Sequence, residues 1–520
     1  MLDLLMVLAL CVLTLLGFPV AFTLAGTALI FAGIGMALGL FDGALLGFFP
    51  SRIFGVMTNK VLLAVPLFVF MGVMLERSKV SEDLLESMSA LFGNRSGGIG
   101  FSVIIVGTLL AASTGIVGAT VIAMGLLSLP TMLGHGYDPK LASGTIAASG
   151  TLGQIIPPSI VLVVLGDQLS NAHQEANRLT GNWALEPVTV GDLFAGALIP
   201  GLALVSLYFC YLLATSWVAP ETCPAVSKTK KNDTDRKQQN HQLLHALIAP
   251  ILLIIAVLGS ILAGIATPTE AAGIGAVGAT MLAAHRFDRQ RPFWLYAAGL
   301  SVFLLFFLNQ NLDLRFGRDQ VSIADRSGMV IAVLLCAMLV IGLAVALSRC
   351  HRHGALADVM RRTTRISAMV FMIVIGAQLF SLVFRGFGGD ARIHDLLTTM
   401  PGGEAGAMVT VMVILFVLGF FLDFIEITFL VVPIIAPILL QLGFDPVWLG
   451  VMIALNLQTS FLTPPFGLAL FYLRSVAPPE VSTIQIYRGI VPFVVLQLLM
   501  LFLLSLMPAM ATWLPSIMRG

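Results

Sequence analysis

Residues 136–158 read GYDPKLASGTIAASGTLGQIIPP, and residues 443–465 read GFDPVWLGVMIALNLQTSFLTPP. The two stretches share one register of 307 residues (443 − 136, 445 − 138, 464 − 157), which runs upstream to Pro130 and Pro437. Each places a proline pair inside an apolar segment otherwise long enough to span a bilayer. Interrupted hydrophobic segments at corresponding positions of two halves point to the binding site of a secondary transporter.

The rest of the chain agrees with a membrane setting. Of 520 residues, 58% are hydrophobic and 11% charged, with mean hydropathy +0.98; soluble domains carry about 25% charged residues. A net charge of +1 gives no reason to expect a nucleic-acid partner. The five cysteines contain no CxxC and read as free thiols. The first apolar run, 2–16, lacks a basic leader and a small-residue cleavage site, so it reads as a span.

Apolar runs predict twelve spans: 2–16, 19–40, 61–76, 139–166, 190–215, 244–264, 268–284, 293–308, 329–348, 364–384, 446–473 and 489–512. Two further stretches, 98–134 and 404–441, are long enough for two helices each. They carry polar breaks at Ser113-Thr114-Gly115 and at Asp423–Glu426, so each is either a pair of spans or a re-entrant hairpin. With 218–243 inside, 19 of the 28 Lys and Arg fall on the inner side, as the positive-inside rule requires. Seven of these spans lie between the two stretches 98–134 and 404–441, an odd number between equivalent points, so the duplication is inverted. Segment 79–92 alternates as an interfacial amphipathic helix, and Glu221–His241 reads as a flexible basic linker. The expected organisation is N-terminal spans (1–97), first hairpin and broken helix (98–166), and connecting spans (167–284). An added pair (285–350), a single span (351–403), the second hairpin and broken helix (404–473) and a C-terminal span (474–520) complete it.

Chemistry concentrates at the breaks. Proline lacks an amide hydrogen and frees carbonyls one turn upstream. Glycine permits non-helical backbone, and Ser149 and Thr151 add hydroxyl oxygens. Uncharged oxygens of this kind suit Na⁺; a kink healed by neighbouring helices is the plainer reading, which the matching Gln458-Thr459 to Thr463-Pro464-Pro465 copy disfavours. The run Ser113-Thr114-Gly115 to Gly118-Ala119-Thr120 offers small polar groups for an anion, for a cation, or for close helix packing. Asp423 and Glu426 lie on one helical face in apolar sequence, where carboxylates are costly and usually functional. They would bind a cation, relay a proton, position the tip, or simply meet water. Asp138 and Asp445, each before proline, read as helix caps. His241/His245 and His351/His353 lack Cys or acidic company and read as solvated. No phosphate-binding loop or buried nucleophile–base pair is present, which excludes an ATPase and gives no enzyme signature.

At Ala111–Thr120, Gly150–Ser159, Ala266–Ala272 and Leu462–Gly467, in that order, the chain resembles the large membrane subunit of TRAP (tripartite ATP-independent periplasmic) transporters. The branch labelled mannitol/chloroaromatic is the most similar. The resemblance covers nearly the whole sequence. It implies an all-α, polytopic, inverted-repeat elevator with two re-entrant hairpins and two broken helices. It also implies a Na⁺-driven importer of organic acids in the bacterial inner membrane, without a cofactor. The implied partners are a small four-helix membrane subunit and a periplasmic substrate-binding protein. Carried residue by residue, the first Na⁺ site would use Ser113, Thr114, Gly115, Ser149, Gly150 and Thr151. The second would use Asp423 and the tip to residue 428 with Gln458, Thr459 and Thr463. Substrate contacts fall to Gly118, Thr120, Glu426 and Thr428. The chain departs from the family in the length of 287–350, and in Glu426 and Gln458, where small or neutral residues are more usual.

Overall fold

The computed structural model describes residues 2–78, 84–85, 88–89, 92, 95–115, 117–181, 187–225, 233–288, 292–315 and 322–519, over backbone alone at 113–114 and 233–247. Within these residues the regular elements are helices, and large apolar side chains such as Leu8, Phe22, Phe54, Phe303 and Phe471 stand exposed around the outside. That is the pattern of a surface facing hydrocarbon rather than water. Every one of the twelve expected spans is helical, and the two that carry proline pairs are interrupted there. Among the described residues, seven helices are long and apolar enough by themselves to cross a membrane; the remainder are shorter or broken.

Four differences from the expected boundaries have local causes. A helix at Asp233–Leu262 begins eleven residues before the expected 244, so much of the presumed linker Glu221–His241 is helical. An apolar helix already nucleated extends cheaply into polar sequence that contains no proline or glycine. Linker residues 226–232 lie outside the described residues. So does most of the amphipathic segment 79–92, although Leu84, Leu85 and Met88 within it are buried. The helix after the first break continues to Thr180, not 166. Helices Phe49–Thr58, Gly389–Thr398 and Ala509–Arg519, too short to read as spans, were not anticipated. Finally, the second hairpin turns at Gly419–Asp423, and Glu426 lies inside the next helix. Asp423 and Glu426 form a reciprocal cap, which starts a helix where the expectation placed a break.

The internal duplication is visible in packing. Each hairpin starts after a left-handed glycine, Gly97 (φ 78°) and Gly402 (φ 97°), 305 residues apart (402 − 97). Asp138 and Asp445 cap the two broken helices, with proline in the first turn of each. Beyond the breaks, helices Val190–Val218 and Thr483–Leu506 both open with reciprocal capping boxes, Thr189/Asp192 and Ser482/Gln485, 293 residues apart (482 − 189). The first helix of each hairpin lies on its broken helix at matched points. An added Cβ on Gly107 would meet Ser149 Cβ at 2.6 Å, and on Gly153 would meet the Ala111 carbonyl at 2.7 Å. In the second copy, Asn456 donates to the Met412 carbonyl (2.8 Å) and Ser460 to the Phe416 carbonyl (2.6 Å). Ser149/Asn456 and Gly153/Ser460 keep the 307 register; Gly107/Met412 and Ala111/Phe416 keep 305. The two-residue difference is absorbed at the hairpin tips.

The copies interlock rather than stand side by side. Helix Pro139–Thr151 packs closely on Thr483–Leu506, the helix that follows the other break, while Pro446–Leu462 packs on Val190–Val218. At the first crossing Gly144 faces the Gly489 carbonyl and Gly489 faces the Lys140 carbonyl, so the two backbones touch. Small residues allow this approach, the usual source of helix cohesion in hydrocarbon.

Around this interlocked centre, Ala64–Arg77 packs on Pro268–Phe287 and on Ala355–Gly386, which in turn covers Val20–Ala37. Helices Phe293–Asn311 and Ile323–Arg352 pack on one another, and the second rests on Pro268–Phe287 and Ala355–Gly386.

Candidate functional site

Both broken helices end at their proline pairs. The first ends at Thr151 and passes through a tight turn, Leu152–Gln154, before the chain resumes helix at Ile160. The second ends at Leu462 and resumes at Leu468. Both proline pairs, Pro157-Pro158 and Pro464-Pro465, are joined by cis peptide bonds. Prolines at 157 and 158 deprive the carbonyls of Gly153 and Gln154 of their helical donors.

The hydroxyls here share one habit. Ser149 donates to the Thr145 carbonyl (2.6 Å), Thr151 to Ala148 (2.9 Å), Thr459 to Leu455 (2.8 Å) and Thr463 to Thr459 (2.7 Å). A hydroxyl whose proton points back along its helix keeps its lone pairs for another ligand. Ser149, Gly150, Thr151, Gln458 and Thr459 are all buried, and Thr463 is half-buried.

The two breaks also touch. Gln458 Nε2 donates to Thr151 Oγ1 at 3.5 Å, and these residues are each other's equivalents in the 307 register (458 − 151). Contact between equivalent positions is the mark of a local two-fold relation. Thr151 and Gln458, assigned by resemblance to two separate ion sites, therefore meet on that axis.

A cavity of about 70 Å³ lies beside the breaks. Gly115, Val117 and Gly118 of the first tip border it, as do Asp423, Phe424 and Ile425 of the second. Gln154, Ile160, Phe461 and Leu468 line it from the breaks, and Val65, Val69, Ile366 and Val370 from the surrounding helices. Its remaining polar wall is Tyr472, whose ring lies within 2.9 Å of where a Gly118 side chain would begin. Among the described residues the lining contains no Lys, Arg or His. Gln154 Oε1 is buried with no hydrogen-bond partner among the described residues.

Of the four residues expected at the substrate, Gly118 borders this cavity. Thr120 and Thr428 are buried, the latter with its hydroxyl unpartnered. Glu426 turns back to accept from the Asp423 amide (2.9 Å), leaving Asp423 as the carboxylate that borders the cavity. Gly115 is the left-handed residue (φ 60°) that turns the first hairpin, with Ile160 against it. The side chains of Ser113 and Thr114 lie outside the described residues.

Three polar residues had not been singled out. Gln154 stands three residues before Pro157 but was read only as part of the motif. Tyr472 carries no sequence signal. Asp167 is buried and accepts from both Asn59 (3.1 Å to each oxygen) and Gln168 (3.1 Å). The rule that flagged Asp423 applies equally to Asp167, but the expected span stopped at 166. Asn59 precedes Ala64–Arg77, so this bond ties the surrounding helices to the helix after the first break. Arg385 makes a second tie, to Glu175 (3.0 Å).

Paired helix breaks, a hairpin laid on each, and a cavity walled by both define a multi-pass helical membrane permease built on an internal duplication. Residues 7–300 and 324–510 match the family "Tripartite ATP-independent periplasmic transporter, DctM component", and the chain belongs to it as a large permease component. Only 301–323 interrupts the match, a shorter departure than 287–350. The chain is 26% identical to the C4-dicarboxylate TRAP transporter large permease protein DctM of Vibrio cholerae over 464 residues, 89% of this chain and 87% of that protein. It is 24% identical to the sialic acid TRAP transporter large permease protein SiaM of Vibrio cholerae, covering 97% and 96%. The ectoine TRAP transporter large permease protein TeaC of Halomonas elongata is 25% identical, with 96% of each chain covered.

Proposed function

We infer that this permease imports an organic acid across the bacterial inner membrane, driven by Na⁺ and supplied by a periplasmic binding protein. A small four-helix membrane subunit is its expected companion. The observation that carries this reading is the cavity shared by both hairpin tips and both breaks, with Val65, Val69, Ile366 and Val370 as its opposite wall. A space of about 70 Å³ holds about two waters, so substrate enters only as the tips and the surrounding helices part, in keeping with re-entrant hairpins and an elevator motion. Relatives named for C4-dicarboxylate, sialic acid and ectoine support a small polar organic solute.

The chemistry of the breaks supports Na⁺. Ser149, Gly150 and Thr151 offer uncharged oxygens, as Ser113, Thr114 and Gly115 would by residue type; Gln458, Thr459 and Thr463 do so in the second copy. Divalent ions favour carboxylate ligands, and the first break has none. With no basic side chain among the described residues of the cavity, a substrate carboxylate is held by Na⁺, backbone amides and the Tyr472 hydroxyl.

Asp423, open to the cavity, favours a second reading in which the acidic tip carries a proton. Uptake into proteoliposomes under an imposed Na⁺ gradient or an imposed pH gradient decides between them. Na⁺ alone should drive accumulation of the substrate delivered by the cognate binding protein. Uptake that follows only the pH gradient and is abolished in Asp423→Asn transfers coupling to the acidic tip.

A further inference from the structure

Four polar side chains meet where the two copies cross, one from each inner helix: Thr151, Gln458, Tyr208 and Gln497. Thr151 ends the first broken helix, and Gln458 lies one turn before Leu462, where the second ends. Tyr208 and Gln497 belong to Val190–Val218 and Thr483–Leu506, the equivalent helices that follow the breaks. All four are completely buried. Gln497 Nε2 donates to the Tyr208 hydroxyl at 2.8 Å, and the Gln458 carboxamide lies beside that hydroxyl. Gln458 also reaches Thr151. Phe493, one turn before Gln497, meets the Tyr208 ring edge-on with centroids 5.2 Å apart, so one helix face fixes both the ring and its hydroxyl.

This arrangement is expensive for a membrane core. Gln458 Oε1 and Gln497 Oε1 are buried without partners among the described residues, and an unsatisfied buried oxygen is destabilising where apolar side chains of similar shape are not. A fold that needed only cohesion here would use the small-residue contact of Gly144 and Gly489.

We propose that Tyr208 and Gln497 are positioning residues for ion coupling: they hold Gln458 against Thr151 and so make the Na⁺ affinity of one break depend on the geometry of the other. This rests on the Na⁺ reading above. Removing either residue lets the Gln458 carboxamide rotate away from Thr151, and both breaks lose a fixed oxygen although neither Tyr208 nor Gln497 touches the ion.

The full-length protein, purified in detergent, tests this through its thermal unfolding midpoint against NaCl, with choline chloride holding ionic strength constant. Gln497→Met keeps the side-chain length without hydrogen bonding, and Tyr208→Phe removes one oxygen. Each should raise the half-stabilising Na⁺ concentration about three- to ten-fold, the equivalent of one lost hydrogen bond. The double variant should do no more than the larger single, because both act through Gln458. Trp448→Phe, which removes a buried bond to the Leu504 carbonyl (2.9 Å) elsewhere on the second broken helix, should lower the midpoint without moving the Na⁺ dependence. If the wild type ignores Na⁺, the Na⁺ reading and this inference fall together. If the wild type responds but the variants shift only the Na⁺-free midpoint, the positioning role is overturned and the Na⁺ reading stands. Should Gln497→Met fail to fold, Tyr208→Phe alone carries the same decision.

Discussion

Gly489→Ala tests the interlocking of the two copies most directly. A Cβ at 489 would sit on the Lys140 carbonyl, and one at 144 on the Gly489 carbonyl. The obstructing atoms are backbone, so no side-chain rotation relieves the overlap and the helices must separate by roughly 1 Å. If roughly 20–30 atom pairs along the crossing each hold about 0.1–0.2 kcal/mol, and such a gap forfeits about half, the loss is roughly 1–3 kcal/mol. Alanine's better helix propensity returns up to about 1 kcal/mol, so the net cost is centred on about 1.5 kcal/mol. Thermal unfolding of purified Gly489→Ala, Gly144→Ala and the double variant measures it. The double variant should cost less than the sum of the singles, because one separation clears both overlaps. Single variants as stable as the wild type, or strictly additive costs, would refute the backbone-contact crossing.

Thr151→Val keeps the side-chain shape but removes the oxygen that Gln458 reaches. Half-saturating Na⁺ for uptake should rise by about five- to ten-fold, while Thr151→Ser stays within about two-fold; equal curves for Val and wild type would remove Thr151 from the site. The inverted arrangement predicts that His135→Cys and Glu404→Cys, exposed at the bases of the first and second hairpins, label from opposite sides of the membrane when the native cysteines are replaced. Labelling of both by an impermeant maleimide from the same side contradicts it.

The breaks and the duplication were legible because their causes are local. Proline cannot donate a backbone hydrogen bond in any surroundings, so Pro157-Pro158 and Pro464-Pro465 end their helices whatever packs on them. Asp138 and Asp445 cap for the same reason: the bond closes within three residues. The 307 register needed only the chain itself. Asp423 and Glu426 were found by their cost in apolar sequence, yet their pattern three apart is equally that of a capping box, and the cap moved the turn to Gly419–Asp423.

What required tertiary structure was everything that depends on which helix lies beside which. No pattern within Val190–Val218 or Thr483–Leu506 says that each packs on the broken helix of the other copy, because small residues such as Gly144 and Gly489 suit many crossings. Thr151 and Gln458 are visible as equivalents in sequence, but their meeting follows only from the two-fold relation of the folded copies. Tyr208 and Gln497, 289 residues apart, become partners through that same crossing. Asp167 escaped because hydropathy ended its span one residue early, whereas the helix runs to Thr180 under the cover of Asn59 and its neighbours. The sequence determined where the helices must break, since that is backbone chemistry; the tertiary structure decided which oxygens face one another across the breaks, since that is set by the packing of segments hundreds of residues apart.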